Sequence, residues 1–230
     1  MKLKLSAARA SRGEWSVTAD GTFCEGVHLV SGKVGSGKST LALMMAGFLL
    51  PADGSVVREG IESSMISLQF PEHHVTGLTV AAECRSWGLE SRSVLSEIHL
   101  MDKQDSAPLA LSRGELKRLH LACVLAKKYD LLLLDEPLSS LDAGEKERVC
   151  EQLSKRTGGI TILFTHEQTT FPRVDHLWEI EQGELTDCGE MPGALSRWQH
   201  APALVKKLIA SGRDLKNISP ADLQEAGCRT

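Results

Sequence analysis

Two segments near the start of the chain, residues 3–7 and 15–19, alternate between apolar and polar side chains. Alternation with a period of two predicts strands with one buried face, and the turn residues between them favour an antiparallel pair. Two later runs, residues 27–31 and 131–134, are largely apolar without alternation. Such runs are typical of strands that are buried on both faces of a parallel sheet. The chain is therefore predicted to combine both kinds of strand.

Segments with helical character alternate with the strands, which predicts an α/β sandwich that carries a helical insertion. A helix is predicted to begin at Lys38 and to end near Leu50, before a proline. The insertion spans about residues 71–126, and residues 191–230 form an amphipathic helical tail behind a main domain of residues 1–190. The remaining predicted elements are strands at 65–70, 160–165, 177–180 and 184–186 and helices at 116–127 and 143–156.

Composition narrows the class of protein without defining it. The 230 residues are 42% hydrophobic and 24% charged, and the formal net charge of −4 argues against nucleic acid as the main partner. We find no apolar run that approaches the roughly 20 residues needed to cross a bilayer, and residues 1–5 do not resemble a signal peptide. Any membrane role is therefore expected to be peripheral. The six cysteines include no CxxC pair, which predicts reduced thiols.

A glycine-rich loop follows the predicted strand at 27–31 and directly precedes the helix that begins at Lys38. It fits the pattern G-x-x-x-x-G-K-[ST] in the strand–loop–helix context of a phosphate loop, with the residues Gly32, Lys33, Val34, Gly35, Ser36, Gly37, Lys38, Ser39 and Thr40. Such a loop turns backbone N–H groups and a helix N-terminus toward phosphate oxygens. We expect Lys38 to bridge the β- and γ-phosphates and Ser39 to bind Mg²⁺.

Two adjacent carboxylates, Asp135 and Glu136, end the apolar run 131–134. In a parallel sheet this position lies at the same edge as the phosphate loop. Two acids after a strand are often only solvated, but the pairing with a phosphate loop favours a catalytic interpretation. We expect Asp135 to hold Mg²⁺ through its water shell and Glu136 to act as the general base or to position the attacking water.

Four further motifs resemble those of ATP-binding-cassette (ABC) ATPases, and with the two elements above they follow the family's order. They are Gln69 after a strand, the signature-like Leu111-Ser112-Arg113-Gly114-Glu115, the D-loop-like Ser139-Ser140-Leu141-Asp142, and the switch-like Phe164-Thr165-His166. The resemblance implies a phosphate-loop NTPase fold with a RecA-like parallel-sheet core, an antiparallel β edge, a helical subdomain and a short helical C-terminal tail.

The same resemblance implies roles for individual residues, with ATP and Mg²⁺ as cofactors. Gln69 is expected to sense the metal ion and the attacking water, and His166 to donate a hydrogen bond to the γ-phosphate. Ser112 and Gly114 are expected to bind the nucleotide of an opposite subunit, which implies a working dimer. Glu115 and Asp142 complete the implied nucleotide-binding set.

Two departures from the family pattern bear on these expectations. Arg113 stands where the signature usually has its first glycine, and Glu115 replaces the usual glutamine. The family's aromatic platform for adenine is expected near residues 8–11, where the chain has no aromatic residue. Two substitutes stay open: Arg9 could stack through its guanidinium plane, or Trp15 could take the role.

The stretch after Gln69 is similar to the ATPases of energy-coupling-factor importers, with Gln69-Phe70-Pro71-Glu72-His73-His74 resembling their Q-x-P-E-x-Q. Residues 79–83 and 88–90 resemble their T-V-x-x-E and G-L-E motifs. The resemblance implies uptake of a micronutrient, a vitamin or a transition-metal ion. The implied partners are a second ATPase subunit, identical or similar, a transmembrane coupling subunit and a substrate-binding membrane subunit at the cytoplasmic face.

Three other functions are considered. A soluble cassette of DNA repair or translation normally carries a coiled-coil arm, and the 41 residues between Gln69 and Leu111 leave no room for one. An iron–sulfur cluster assembly ATPase would differ after Gln69 and would bind a soluble partner. The ATPase of a conventional ABC importer or exporter would lack the Pro-Glu-His-His stretch. A metal site at His73 and His74 is disfavoured, because adjacent residues on an extended loop point apart.

Overall fold

The computed structural model describes residues 1–12 and 15–228. The strands among them are β1 (Lys2–Arg12), β2 (Trp15–Cys24), β3 (Gly26–Ser31), β4 (Asp53–Glu59), β5 (Ser64–Ser67), β6 (Leu131–Asp135), β7 (Ile160–Thr165), β8 (His176–Glu181) and β9 (Glu184–Glu190). They join in one sheet in the order β4-β1-β2-β9-β8-β3-β7-β6-β5. The sheet therefore brings strands from both halves of the chain side by side.

The centre of the sheet is parallel, as the continuous apolar runs predict. β3 pairs with β7 and β8, and β6 pairs with β5 and β7, all in parallel. Every residue of β6 and β7 is buried. Full burial of a leucine or isoleucine contributes roughly 1.5–3 kcal/mol, so these strands contribute a large part of the stability of the sheet.

An antiparallel edge completes the sheet, as residues 3–7 and 15–19 predict. β1 pairs with β2 and also with β4. The strand β4 is missing from the sequence-based prediction. The reason is that no side chain of β4 is fully buried, so its sequence carries no apolar face for a pattern to reveal.

The three helices predicted from the sequence all have different bounds in the structure. The helices among the described residues are α1 (Lys38–Ala46), α2 (Val80–Ser86), α3 (Ser91–Glu97), α4 (Arg113–Leu125), α5 (Ala143–Ser154), α6 (Ala203–Ala210) and α7 (Pro220–Cys228), with 3₁₀ turns at Pro71–His74, Met101–Lys103, Pro108–Ala110 and Gly193–Ser196. The prediction that α1 reaches residue 50 is wrong. Gly47 adopts φ 79° and donates its N–H to the carbonyls of Leu43 and Met44, which ends the helix. Likewise α4 begins at residue 113 instead of 116, because Ser112 caps it.

Residues 71–126 contain a small apolar core of their own, in which Val80, Leu95 and Leu119 are fully buried. The C-terminal residues pack differently. Trp198 and Ile218 belong to the same buried cluster as Leu132 and Leu134 of β6. The tail thus covers the main sheet directly. The division into a main domain of residues 1–190 and a tail of residues 191–230 stays a prediction.

Candidate functional site

The glycine-rich loop connects β3 to α1, in the strand–loop–helix arrangement that the sequence predicts. Two of its positions must be glycine because neighbouring atoms leave no room for a Cβ atom. A Cβ atom on Gly32 would lie 2.5 Å from the carbonyl oxygen of Ile180, and one on Gly37 would lie 2.7 Å from Val17 Cγ2. Gly37 also adopts φ 111°, which side-chain-bearing residues rarely do. The loop therefore packs tightly beneath its helix and leaves the helix N-terminus facing an open cavity.

This cavity has a volume of about 440 Å³ and collects side chains from distant parts of the chain. It is lined by Trp15, Val34, Gly35, Gly37, Lys38, Ser39, Thr40, Gln69, Glu136 and His166. Apart from Trp15, which begins β2, the contributing residues follow the carboxyl ends of β3, β5, β6 and β7, which lie at one edge of the sheet. Ligands of open α/β sheets bind at such an edge. All four residues predicted to be catalytic (Lys38, Gln69, Glu136 and His166) line this one cavity.

Lys38 is buried, and its ammonium group lies at the floor of the cavity. Its Nζ donates to the carbonyl oxygens of Gly32 at 2.8 Å and Lys33 at 2.9 Å. The same Nζ lies 3.4 Å from Glu136 Oε1. The ammonium is thus held between the loop backbone and the carboxylate, where it can exchange these partners for the oxygens of an anionic ligand.

Glu136 is only 6% exposed, and neighbouring groups hold its carboxylate from several directions. Its carboxylate accepts hydrogen bonds from Thr165 Oγ1 at 3.1 Å and from the backbone N–H of His166 at 3.1 Å. The ring of His166 approaches it as well, with Nδ1 2.7 Å from Oε1. The backbone of Glu136 adopts φ 49°, an unusual conformation that tends to occur at functional sites. The end of β7 therefore orients the carboxylate that ends β6.

Asp135 is 2% exposed, and its Oδ1 atom accepts no hydrogen bond from the described residues. Burial raises the pKa of this carboxyl, while a hydrogen bond with Ser39 opposes the shift. An orphaned carboxylate oxygen beside a hydroxyl is a donor set of the kind that a hard divalent cation prefers. Gln69 lines the cavity described above, next to the glycine-rich loop. The three predicted metal-binding residues therefore fit Mg²⁺ in chemistry and in place.

The residues expected to serve an opposite subunit lie elsewhere. Ser112 and Glu115 form a capping box at the start of α4, where the Glu115 carboxylate accepts from the backbone N–H of Ser112 at 3.0 Å. A hydrogen bond from Lys103 and the bonds from Ser112 lower the pKa of Glu115 to about 2. Asp142 caps α5 by accepting from the N–H of Glu145. Of these signature and D-loop residues, including Gly114, none lines the cavity of its own chain.

Gly114 is nevertheless confined within its own chain. A Cβ atom at this position would lie 2.8 Å from the carbonyl oxygen of Ser140. The D-loop turn, in which Ser140 adopts φ 66°, therefore packs directly on the first turn of α4. Arg113 is exposed and lies beside Gln69 and Ser140. Signature and D-loop are thus held as one surface.

Of the two candidates for a base platform, only Trp15 lies at the cavity. It also lines a second cavity of about 440 Å³ that shares the loop residues Lys33 and Val34. Arg9 is exposed on β1, opposite Thr18 and Asp53. The sequence could not decide between Arg9 and Trp15, because the approach of Trp15 to the glycine-rich loop is a tertiary contact.

The second of the tandem histidines, His74, packs within its own chain. The ring of His74 stacks on His120, with centroids 4.4 Å apart, and its Nε2 accepts from the N–H of Leu68 at 3.0 Å. In residues 1–12 and 15–228, no group of three or more His, Cys, Asp or Glu side chains is placed to hold a metal ion. His74 thus packs the glutamine loop against α4.

The loop, the buried Asp-Glu pair, the glutamine and the histidine around one cavity define a phosphate-loop ATPase. The chain belongs to the ABC transporter family, whose sequence model matches residues 23–139. Membership in this family confirms the predicted enzyme class, an ABC-type ATP hydrolase, and with the solved structures below it confirms the predicted fold class.

Relatives and solved structures are consistent with this assignment. The chain is 32% identical over 187 residues to the energy-coupling factor transporter ATP-binding protein EcfA1 of Staphylococcus saprophyticus, covering 70% of this chain and 69% of that protein. It is 32% identical over 184 residues to EcfA1 of Thermotoga maritima, covering 71% of each. A relative from Methanosarcina acetivorans, also 32% identical, is longer, and the match spans 69% of this chain but only 35% of that protein.

Two solved structures share the fold at low identity. CbiO1 of Clostridium perfringens, part of the ABC transporter complex cbiONQ, superposes with a TM-score of 0.64 at 20% identity, covering 90% of this chain and 94% of that one. The dimeric ABC transporter cassette MJ0796 superposes with a TM-score of 0.63 at 18% identity, covering 80% and 98%. The predicted resemblance to energy-coupling-factor ATPases is thus confirmed.

Proposed function

We propose that this chain is the peripheral ATPase of an energy-coupling-factor importer, and that two cassettes sandwich ATP to drive uptake of a micronutrient. The observation that carries the proposal is the position of Gln69. Gln69 lines the nucleotide cavity, and two apolar side chains of the segment that follows it are exposed, Leu78 to 89% and Phe70 to 44%. One short loop therefore connects the proposed catalytic centre with an apolar surface that a membrane protein could cover.

The chemistry proposed for the cavity is in-line attack of water on the γ-phosphate of ATP. Lys38 would exchange its loop carbonyls for phosphate oxygens and stabilise their charge. Glu136 would accept a proton from the water, and its hydrogen bonds to Thr165 and His166 hold it ready for this role. His166 is partly exposed, so its ring can turn from Glu136 toward the phosphate. Mg²⁺, held by Ser39 and Asp135 with Gln69 close by, would supply charge neutralisation.

The second half of the site is proposed to come from another cassette. Ser112, Gly114, Glu115 and Asp142 lie outside the cavity of their own chain but share one surface with the D-loop turn. A helix N-terminus such as that of α4 favours an anionic ligand. In a head-to-tail pair of identical or similar subunits, this surface would face the nucleotide on the opposite phosphate loop. Trp15 is proposed as the platform for the base.

Contact with the membrane is proposed to occur through partners at its cytoplasmic face. In the part of the chain that the structure describes, no helix has the length and apolarity needed to span a bilayer. The docking surface, defined as Phe70, the 3₁₀ turn Pro71–His74, Val75 and Leu78, would receive the transmembrane coupling subunit. The cargo, a vitamin or a transition-metal ion, would be bound by a separate membrane subunit.

A charged substitution on the docking surface tests the importer. Leu78→Asp should weaken binding of a transmembrane partner by at least tenfold, since burying an unpaired carboxylate costs more than about 1.4 kcal/mol. The ATPase activity of the isolated chain should stay unchanged, because a surface substitution typically alters stability by about 0.5 kcal/mol or less. The measurement is co-purification from detergent-solubilised membranes, followed by identification of bound proteins.

The matched control is Leu204→Asp, because Leu204 is 52% exposed on α6 in the tail. It should leave the membrane partner bound. Recovery of a soluble partner in place of a membrane protein with the unaltered chain would contradict the importer and favour a cluster-assembly ATPase.

A further inference from the structure

The lysine at position 117 is unusual because its whole side chain is buried. It lies on α4, is only 1% exposed, and ranks among the largest fully buried side chains of the described structure. Its Nζ donates to the backbone carbonyl oxygen of Gln69 at 3.1 Å. No carboxylate oxygen in the described part of the chain lies within 4.0 Å of this ammonium. The contact with Gln69 is thus the one hydrogen bond that the described residues offer it.

Burial of this ammonium is unfavourable for stability. Lysine is almost never fully buried unless it is paired with a charge. Burial lowers the pKa of Lys117 to about 8, although the charges of Asp135, Glu136 and Glu72 oppose the shift. An apolar side chain of similar size would avoid the desolvation cost, and replacements of this kind are often neutral or stabilising. Stability alone therefore does not account for a lysine at this position.

The surroundings of Lys117 indicate what the ammonium does instead. A small cavity of about 60 Å³ beside it is lined by Gln69, Phe70 and Pro71 from the glutamine loop, by Arg113 from the signature, and by Ser139 and Ser140 from the D-loop. Three of the segments assigned to ATP turnover therefore meet around one buried amine. Within this junction, the hydrogen bond to Gln69 links the glutamine loop to the helix that Ser112 begins.

We propose that Lys117 is a positioning residue that holds the backbone of Gln69 and so couples the glutamine loop to α4. By fixing the carbonyl, it keeps the Gln69 side chain directed at the nucleotide cavity. This inference rests on the proposed function, because it assigns to Gln69 a part in turnover.

The test is a pair of substitutions measured on the full-length chain. Lys117→Met removes the ammonium and keeps the length of the side chain, and it should lower kcat for ATP by about ten- to a hundredfold, the range expected for one charged hydrogen bond. The KM for ATP should change by less than about threefold, because the phosphate contacts are untouched. The thermal midpoint of unfolding should stay equal or rise. Lys128→Met, at an exposed position just beyond the same helix, is the matched control and should change nothing.

Two further variants separate positioning from a merely structural role. Lys117→Arg retains a donor for the Gln69 carbonyl and should restore most of kcat. In a Gln69→Ala chain, which keeps the carbonyl but loses the side chain that it positions, Lys117→Met should cause no further loss.

Four results would contradict the positioning role of Lys117 or the role of Gln69 on which it rests. Independent, multiplicative losses from Gln69→Ala and Lys117→Met would overturn the proposal, as would a normal kcat in Lys117→Met when Gln69→Ala is slow. A normal kcat in Gln69→Ala itself would overturn the role proposed for Gln69 and, with it, this inference. Loss of the folded state in Lys117→Met but full activity in Lys117→Arg at a lowered midpoint would assign Lys117 to stability and contradict the positioning role.

Discussion

Glu136→Gln should reduce ATP turnover by about 10²–10⁴-fold, the usual loss when a general base is removed. The substitution replaces one carboxylate oxygen by an amide nitrogen at a site held by Thr165 and His166, so the cavity keeps its shape. The contacts of Lys38 with the loop carbonyls at 2.8 and 2.9 Å do not depend on Glu136. Nucleotide affinity should therefore stay within a few-fold of its original value.

Steady-state hydrolysis and equilibrium binding of ATP, measured on the same preparation, check this result. Glu184→Gln is the matched control, because Glu184 is exposed on β9 away from the cavity lining. Hydrolysis at nearly the original rate in Glu136→Gln would show that another residue activates the water. A loss of binding that equals the loss of turnover would assign Glu136 to nucleotide binding instead.

Lys38→Ala should act on binding itself and raise the Kd for ATP by about 10²-fold or more. Two charge-assisted hydrogen bonds to phosphate contribute about 1.5–3 kcal/mol each, and each 1.4 kcal/mol is a factor of ten. Part of this gain is offset by the carbonyl contacts that Lys38 gives up, which is why the lower end of the range applies. The substitution also leaves the buried carboxylate of Glu136 without its nearest cation.

Isothermal titration with ATP measures the effect, and a thermal unfolding scan verifies that the variant is folded. Lys4→Ala, at an exposed position on β1, serves as the control for loss of a positive charge. Equal affinity in Lys38→Ala and the unaltered chain would contradict the assignment of the phosphate loop. Together, the two variants separate a residue of the chemical step from a residue of binding.

Much of the fold could be predicted, because burial on both faces leaves a distinctive sequence. The strand β7 has the predicted bounds, and β6 extends the predicted run by one residue. The edge strand β4 escaped prediction because it has no buried face. The end of α1 was misplaced because apolar residues continue past Gly47, and only the local hydrogen bonds of that glycine stop the helix.

The candidate site also has a part that could be predicted from the sequence and a part that could not. Glu136 could be placed beside the phosphate loop from sequence, because it follows a parallel strand whose carboxyl end shares an edge with that loop. Gln69 and His166 were placed there by the resemblance to ABC ATPases. The strand predicted at 65–70 ends at Ser67 in the structure, so Gln69 lies just beyond it. The hydrogen bond between Glu136 and His166 and the approach of Trp15 to the loop are tertiary contacts that no local pattern encodes. The unusual position of Lys117 is visible in the sequence. It lies on the apolar face of α4, four positions before the buried Leu121, where a charged residue is unexpected.

The central claim is that one working unit contains two cassettes with ATP between them. Its most direct test is the mass of the Glu136→Gln chain purified from its native host together with any ATPase that pairs with it. Native mass spectrometry should show a single 25.0 kDa chain without nucleotide. With Mg²⁺ and ATP, it should show a particle with two cassettes and two bound nucleotides, either two copies or one copy with a second ATPase. A single cassette under every nucleotide condition would contradict the account.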